Sequence, residues 1–166
     1  MSTRHETRPL VHAAEVSDEG LPRFAHPLNP ASEVRGISLS ELTGLQRIQV
    51  HLIRVAPGKE AFVYHTHACS EEFLYVLSGR GVAEIDGQEH EISPGDFLGF
   101  PAPSVAHHVR NPVGDEDLVY LMGGERCSTE VSDFPHLKKR LIRVGDVAHL
   151  VDWRDMKLFW KGNGDD

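Results

Sequence analysis

His65-Thr66-His67-Ala68-Cys69-Ser70-Glu71-Glu72 decides how this chain reads. Side chains alternate along a β-strand, so residues at i and i+2 share a face. His65 and His67 therefore project two imidazoles toward one point. Val63 joins their face, while Phe62 and Tyr64 take the other. The loop after His67 is short enough for the next strand to return beside the first, roughly 5 Å away. Glu71 and Glu72 are adjacent and face opposite ways within a strand, so only one can approach the histidines. The same alternation separates His107 from His108, forty residues downstream. Imidazole and carboxylate together suit Zn, Fe, Mn, Ni or Cu. The pattern is that of a metal site on β-structure.

Outward from this stretch, the pattern is one of short strands. Gln46 to Val55 alternates and stops at Ala56-Pro57-Gly58; Ala61 to His67 and Glu72 to Leu77 follow. Gly81 to Ile85 and Gln88 to Ile92 flank Asp86-Gly87, a dipeptide of type I′ hairpin turns. Phe97 to Phe100, Val105 to Arg110 and Leu118 to Met122 complete the set. Residues 45–123 thus hold roughly eight short strands with no helical period, the signature of an all-β sandwich or barrel.

Residues 1–36 carry Pro9, Pro22, Pro27 and Pro30 without sustained periodicity and read as an extended arm. Ser38 to Leu42 can form a helical turn, with Ser38 as cap and Glu41 at the capping-box position. Arg140 to Val144 is a further strand candidate, and Trp153 to Trp160 reads as either a strand or a short helix. The expected division is an arm over 1–36, a barrel over 37–145 and a C-terminal extension over 146–166 that packs on the barrel or on a partner.

The 166 residues suit one domain with a sizeable core. Hydrophobic residues at 40% and charged residues at 25% are ordinary for a soluble globular chain. A net charge of -8 argues against nucleic acid or an anionic membrane as a partner. No segment approaches the roughly 20 apolar residues of a membrane helix, and the N-terminus shows no apolar signal core. Two cysteines provide no disulfide framework, so a cytoplasmic location is expected. Of the eleven histidines, His5, His12, His26, His136 and His149 read as tail or loop residues.

Gly58 to Gly79 resembles the first cupin motif, reading His65-x-His67-x4-Glu72-x6-Gly79. Gly95 to Asn111 resembles the second, with Gly95-x5-Pro101 and His107-x3-Asn111. It departs in having Pro103 where the motif has glycine and one extra residue before the histidine. The resemblance covers about residues 45–125. It implies a jelly-roll (double-stranded β-helix) barrel and a ligand set of His65, His67, Glu72 and His107 around one divalent metal such as Fe, Mn, Zn or Ni. The tail, with Met122-Gly123-Gly124-Glu125-Arg126 and Ser132-Asp133-Phe134-Pro135, is similar to small single-domain bacterial cupins.

Four protein ligands leave open positions on a metal that takes five or six. The expectation is a metal-dependent enzyme (a dioxygenase, an isomerase or a lyase/decarboxylase) on a small oxygenated or carboxylate substrate. The alternative is a non-catalytic binding or sensor protein holding a small-molecule ligand. The sequence designates no general acid or base. His51, with Arg47 and Gln49 on its face, is a candidate pocket residue, as are Phe97, Phe100, Tyr120 and Met122. Glu71 and His108 are expected to pack or pair outside the barrel, Cys69 to be an idle small residue, and His90 to be solvated. Cupins are commonly dimers, so a homodimer is the expected assembly.

Overall fold

The computed structural model describes residues 7–17, 20–112 and 114–160. Its strands, in chain order, are β1 (Arg23–Phe24), β2 (Val34–Ser38), β3 (Ile48–Val55), β4 (Lys59–His65), β5 (Glu72–Ser78), β6 (Gly81–Ile85), β7 (Gln88–Ile92), β8 (Phe97–Phe100), β9 (His107–Asn111), β10 (Leu118–Glu125), β11 (Thr129–Phe134), β12 (Lys139–Val144) and β13 (Val147–Asp152). One α-helical turn, α1 (Leu39–Thr43), separates β2 from β3. Ser38 caps it by accepting from the Glu41 N–H, and Gly44 closes it at φ 78°, a conformation natural to glycine.

A six-stranded sheet runs β1-β2-β3-β10-β5-β8 and a four-stranded sheet runs β4-β9-β6-β7. Every pairing within them is antiparallel. The two face each other as the walls of an all-β jelly-roll barrel. Alternation explains the core. Leu74 and Val76 of β5, Leu98 and Phe100 of β8, and Leu118 and Tyr120 of β10 point inward from one wall. Ala61, Ala83, Ile92 and Val109 meet them from the other. The β6–β7 hairpin turns at Asp86 (φ 49°) and Gly87 (φ 74°), the two positive values a type I′ turn requires.

A third sheet, β11-β12-β13, lies beyond the barrel strands. It changes the expected divisions. The N-terminal arm is not wholly irregular, because β1 and β2 extend the six-stranded sheet. Residue 36 lies inside β2, and the turn at 145–146 lies within the β12–β13 hairpin rather than at the end of a unit. At the far end, Trp153–Asp155 is a single 3-10 turn. No helix among the described residues is long and apolar enough to cross a membrane.

Strand β4 departs from regular alternation. Its pairing with β9 shifts between Ala61 and His65, and Phe62 takes a positive φ of 62°. Such a bulge re-aims side chains. Phe62, expected opposite His65, therefore lines the same cavity. Two arm residues hold the bulge: the Phe62 N–H donates to Ser32 Oγ at 3.1 Å, and Asn29 Nδ2 donates to the Phe62 carbonyl at 2.8 Å.

Candidate metal centre

The ligand loop leaves β4 at His65 and continues extended against β11. Thr66 N–H donates to the Asp133 carbonyl at 3.0 Å and Ala68 N–H to the Val131 carbonyl at 2.9 Å. On the other side, His67 N–H donates to Ser104 Oγ at 2.7 Å, and Ser104 N–H to the His67 carbonyl at 2.8 Å. The i, i+2 relation thus survives although β4 itself ends at His65. Glu72 opens β5 and His107 opens β9, directly across the ladder from His65. The extra residue before His107 is absorbed in the loop after β8.

His65, His67, Glu72 and His107 each offer one donor atom, and these atoms all lie within 4.8 Å of one another. His67 Nε2 is 2.9 Å from Glu72 Oε2 and 3.0 Å from His65 Nε2, and His107 Nε2 is 3.3 Å from Glu72 Oε2. The opposite ring nitrogens face acceptors. His65 Nδ1–H donates to the Val63 carbonyl at 2.7 Å and His107 Nδ1–H to the Val105 carbonyl at 3.0 Å. His67 Nδ1 lies 3.5 Å from Glu130 Oε2. With the ring protons on Nδ1, all three Nε2 lone pairs converge on one point beside a carboxylate oxygen. Such a donor set fits a divalent cation, and the carbonyls behind His65 and His107 fix the tautomers of those two rings. Phe100 stacks on the His107 ring at 3.8 Å between centroids and holds its plane.

Electrostatics follow the same geometry. Burial, reinforced by the neighbouring His107, pushes His65 down to about 3, so it is neutral at pH 7. Burial opposes charge on His67 too, but the Glu72 and Glu130 carboxylates outweigh it and raise its pKa. Burial would raise Glu72, yet its hydrogen bonds to His107 and His67 hold it well below the usual carboxylate range.

Glu130 on β11 is the supporting residue that sequence reasoning missed. Its Oε1 accepts from the N–H groups of Ala68, Cys69 and Val131 at 3.1, 3.0 and 2.9 Å. Its Oε2 accepts from the Ser70 N–H at 3.0 Å and from the Ser70 hydroxyl. Burial opposes its ionisation, but these donors and His67 lower its pKa. One carboxylate thus ties down Ala68, Cys69 and Ser70 in the loop between His67 and Glu72.

The cluster opens into a cavity of about 270 Å³. His51 and Met122 line it beside Gln49, Ser132 and Phe134. Tyr120 does not: it is 1% exposed and belongs to the core. Phe100 does not line this cavity either, because its ring is spent on His107; it and exposed Phe97 border a neighbouring groove instead. Glu71 precedes β5, so strand alternation does not bind it, and with Glu125 it forms the exposed rim. His108 points away from the cluster, with Nε2 3.6 Å from Glu60 Oε2. Cys69 is an exposed free thiol and His90 is exposed on its hairpin. His26, expected to be a loop residue, lies on the cavity wall, where its Nδ1 accepts from the Leu28 N–H at 3.2 Å. His12 and His149 are exposed; His136 stacks on Tyr64 at 4.3 Å; His5 lies outside the described residues.

Residues 51–124 match the family model for the cupin domain. The chain is 39% identical to a candidate sugar phosphate isomerase from Acidithiobacillus ferrooxidans of known crystal structure, with a TM-score of 0.87, over 92% of this chain and 97% of that one. A sugar phosphate isomerase of the cupin superfamily from Silicibacter pomeroyi shares the fold at 24% identity, with a TM-score of 0.73, over 86% of this chain and 95% of that one. An uncharacterized protein of Methanocaldococcus jannaschii is 33% identical over 67 residues, 40% of this chain and 52% of that protein, so the match spans about half of its length. Barrel, motifs and family match agree: residues 51–124 of this chain form a cupin domain.

Proposed function

We propose that this cupin is a metal-dependent enzyme acting on a small oxygenated substrate, with isomerisation of a sugar-like hydroxy-carbonyl compound as its reaction type. The observation that carries the reading is the convergence of three imidazole nitrogens and one carboxylate oxygen at the wall of a cavity of about 270 Å³. The near-full-length likeness to a candidate sugar phosphate isomerase favours isomerisation over the dioxygenase and decarboxylase alternatives. His65, His67, Glu72 and His107 would hold one divalent ion, of the kind Fe, Mn, Zn or Ni. When bound, such an ion polarises a carbonyl oxygen.

The chain's own groups supply the rest. Phe62, Val63, Met122 and Phe134 form the apolar part of the cavity wall and exclude water. Gln49 and Ser132 can orient hydroxyl groups. His51 is pushed down mainly by burial, so its imidazole is neutral at pH 7 and able to accept a proton. That gives the cavity a base beside the ligand cluster.

The test is metal analysis of the purified protein, then reconstitution with Fe, Mn, Zn or Ni in turn. Aldose and ketose substrates, free and phosphorylated, are followed by NMR in deuterated water. Isomer interconversion with deuterium uptake at the carbon beside the carbonyl supports the proposal. Saturable binding without exchange under any metal would move the protein to the binding or sensor class. The proposed assembly is a homodimer, supported by the exposed apolar residues Tyr75, Leu77 and Phe97 on the adjacent strands β5 and β8. Sedimentation of wild type against Phe97→Glu tests it; a monomeric wild type removes the proposal.

A further inference from the structure

We propose that His26 of the N-terminal arm is a substrate-contacting residue of this cavity, its Nε2–H donating to an oxygen of the substrate's hydroxyl chain. The inference rests on the enzymatic reading above and deepens it with a wall residue that lies outside the stretch matching the cupin model.

His26 lines the cavity together with His51, Phe62 and Phe134. Its backbone is fastened to the bulge beside the ligand strand. Ser32 Oγ accepts from the His26 N–H at 3.3 Å and from the Phe62 N–H at 3.1 Å, and Ser32 is buried. The Asn29 N–H donates to the His26 carbonyl at 3.0 Å, while the Asn29 side chain donates to the Phe62 carbonyl. The ring is held as well. It packs edge-on against Phe134, with centroids 6.0 Å apart, and against Phe24 at 6.3 Å; Phe24 in turn contacts Phe62 at 5.9 Å. The groups that shape the cavity wall therefore also place His26.

The arm also sets the tautomer. His26 Nδ1 accepts from the Leu28 N–H at 3.2 Å, so in the neutral ring the proton sits on Nε2. Burial lowers its pKa, which keeps the ring neutral at pH 7. Nε2–H has no acceptor among the described residues, and it is not sealed in the interior. With Nδ1 turned to the arm, Nε2 is the polar atom that His26 brings to the cavity. His26 stands outside the ligand cluster, and its ring neighbours are phenylalanines rather than the ligand histidines. Its donor therefore serves a bound molecule and not the metal. A donor whose position and tautomer are fixed beforehand loses little freedom on binding and selects an acceptor oxygen. The rim carboxylates Glu71 and Glu125 accept from hydroxyl groups; His26 donates to them, the other half of what a hydroxylated substrate needs.

The experiment follows isotope-labelled histidine nitrogens by NMR in full-length protein, chelator-treated and zinc-reconstituted, with the ketose D-ribulose as probe. His26 should show the Nε2–H tautomer, and D-ribulose should shift that resonance saturably. Two variants separate contact from support. His26→Asn keeps an acceptor where Nδ1 stands but removes the Nε2 donor; His26→Gln places an amide donor near Nε2 and leaves Leu28 without its acceptor. Affinity for D-ribulose by calorimetry should fall roughly three- to tenfold in the asparagine variant and by about twofold at most in the glutamine variant. Zinc content should stay unchanged in both. A merely structural role predicts the reverse order, with the glutamine variant losing affinity and urea resistance together. An Nδ1–H tautomer, an Nε2 resonance unmoved by the ketose, or an asparagine variant that binds like wild type overturns the contact. Binding through His26 without isomer interconversion under any metal removes the enzymatic reading and leaves the contact standing; interconversion with His26 unmoved does the opposite.

Discussion

Replacing Glu130 should loosen the metal site without touching a ligand. Every group around this carboxylate is a donor or faces it as one: the N–H groups of Ala68, Cys69, Ser70 and Val131, the Ser70 hydroxyl, and His67 Nδ1. In Glu130→Ala, Ala68 N–H keeps the Val131 carbonyl and Cys69 is exposed to water. Ser70, 9% exposed, is left with a buried N–H and hydroxyl. One or two orphaned donors, together with lost charge-assisted bonds, cost about 3 kcal/mol. With a urea slope of about 2 kcal/mol per molar, the midpoint of the metal-free protein falls by about 1.5 M. Loss of the partner behind His67 should weaken metal binding by about 10- to 100-fold. Glu130→Gln is the stricter test. In either amide orientation its NH2 meets backbone donors, so the near-isosteric change should be almost as damaging as alanine. Urea unfolding and competitive zinc titration read both effects. A glutamine variant within about 0.5 kcal/mol of wild type, with unchanged zinc affinity, would refute the reasoning.

The choice between adjacent acids is tested by metal content: Glu72→Ala should abolish loading, whereas Glu71→Ala should leave it intact, and the reverse would contradict the geometry. The metal-free protein should lose stability on acidification. His65 titrates near 6.5 when unfolded and at about 3 when folded, so between those values the unfolded chain binds the extra proton and is favoured as pH falls. Glu130, depressed by its donors, adds to this loss below about 4.5. His67, whose pKa is raised, acts in the opposite sense: its contribution is present below 6.5 and is lost as pH rises through its folded value. Urea midpoints measured from pH 7 to 4 should therefore fall in wild type and fall less in His65→Asn; parallel curves would sink the assignment. Gly79 sits at φ 74°, and a β-carbon there would collide with the Asp117 carbonyl, so Gly79→Ala should cost about 2–4 kcal/mol by thermal or urea unfolding.

The barrel was legible because its strands alternate with an apolar inner row and end in strong turns. Gly81 to Ile85, Gln88 to Ile92 and Phe97 to Phe100 appear with the expected bounds. The convergence of His65, His67, Glu72 and His107 was legible because four residues of the right chemistry carry the cupin spacing. Strand β11 was hidden for a physical reason: its buried positions are Glu130, Ser132 and Phe134, so its inner row is mostly polar. A hydrophobic period cannot reveal a strand that buries a carboxylate. Strand β13 is largely exposed and β1 spans two residues, so neither carries a pattern. The Phe62 bulge depends on Asn29 and Ser32, about thirty residues upstream, and no local signal announces it. His26 enters the cavity by the same route.

The sheet formed by β11, β12 and β13 also bears on how this protein can be dissected. The family match ends at residue 124, and all four residues of the candidate metal cluster lie before it. Yet the backbone partners of Thr66 and Ala68, and the carboxylate that gathers Cys69 and Ser70, arrive only with residues 130–133. A minimal barrel cut at the motif boundary would carry every donor atom but leave the strip of chain between two ligands with nothing to lean on. The smallest transplantable version of the site therefore runs at least through Phe134, and grafts or fusions that respect only the motif should bind metal poorly however well they fold.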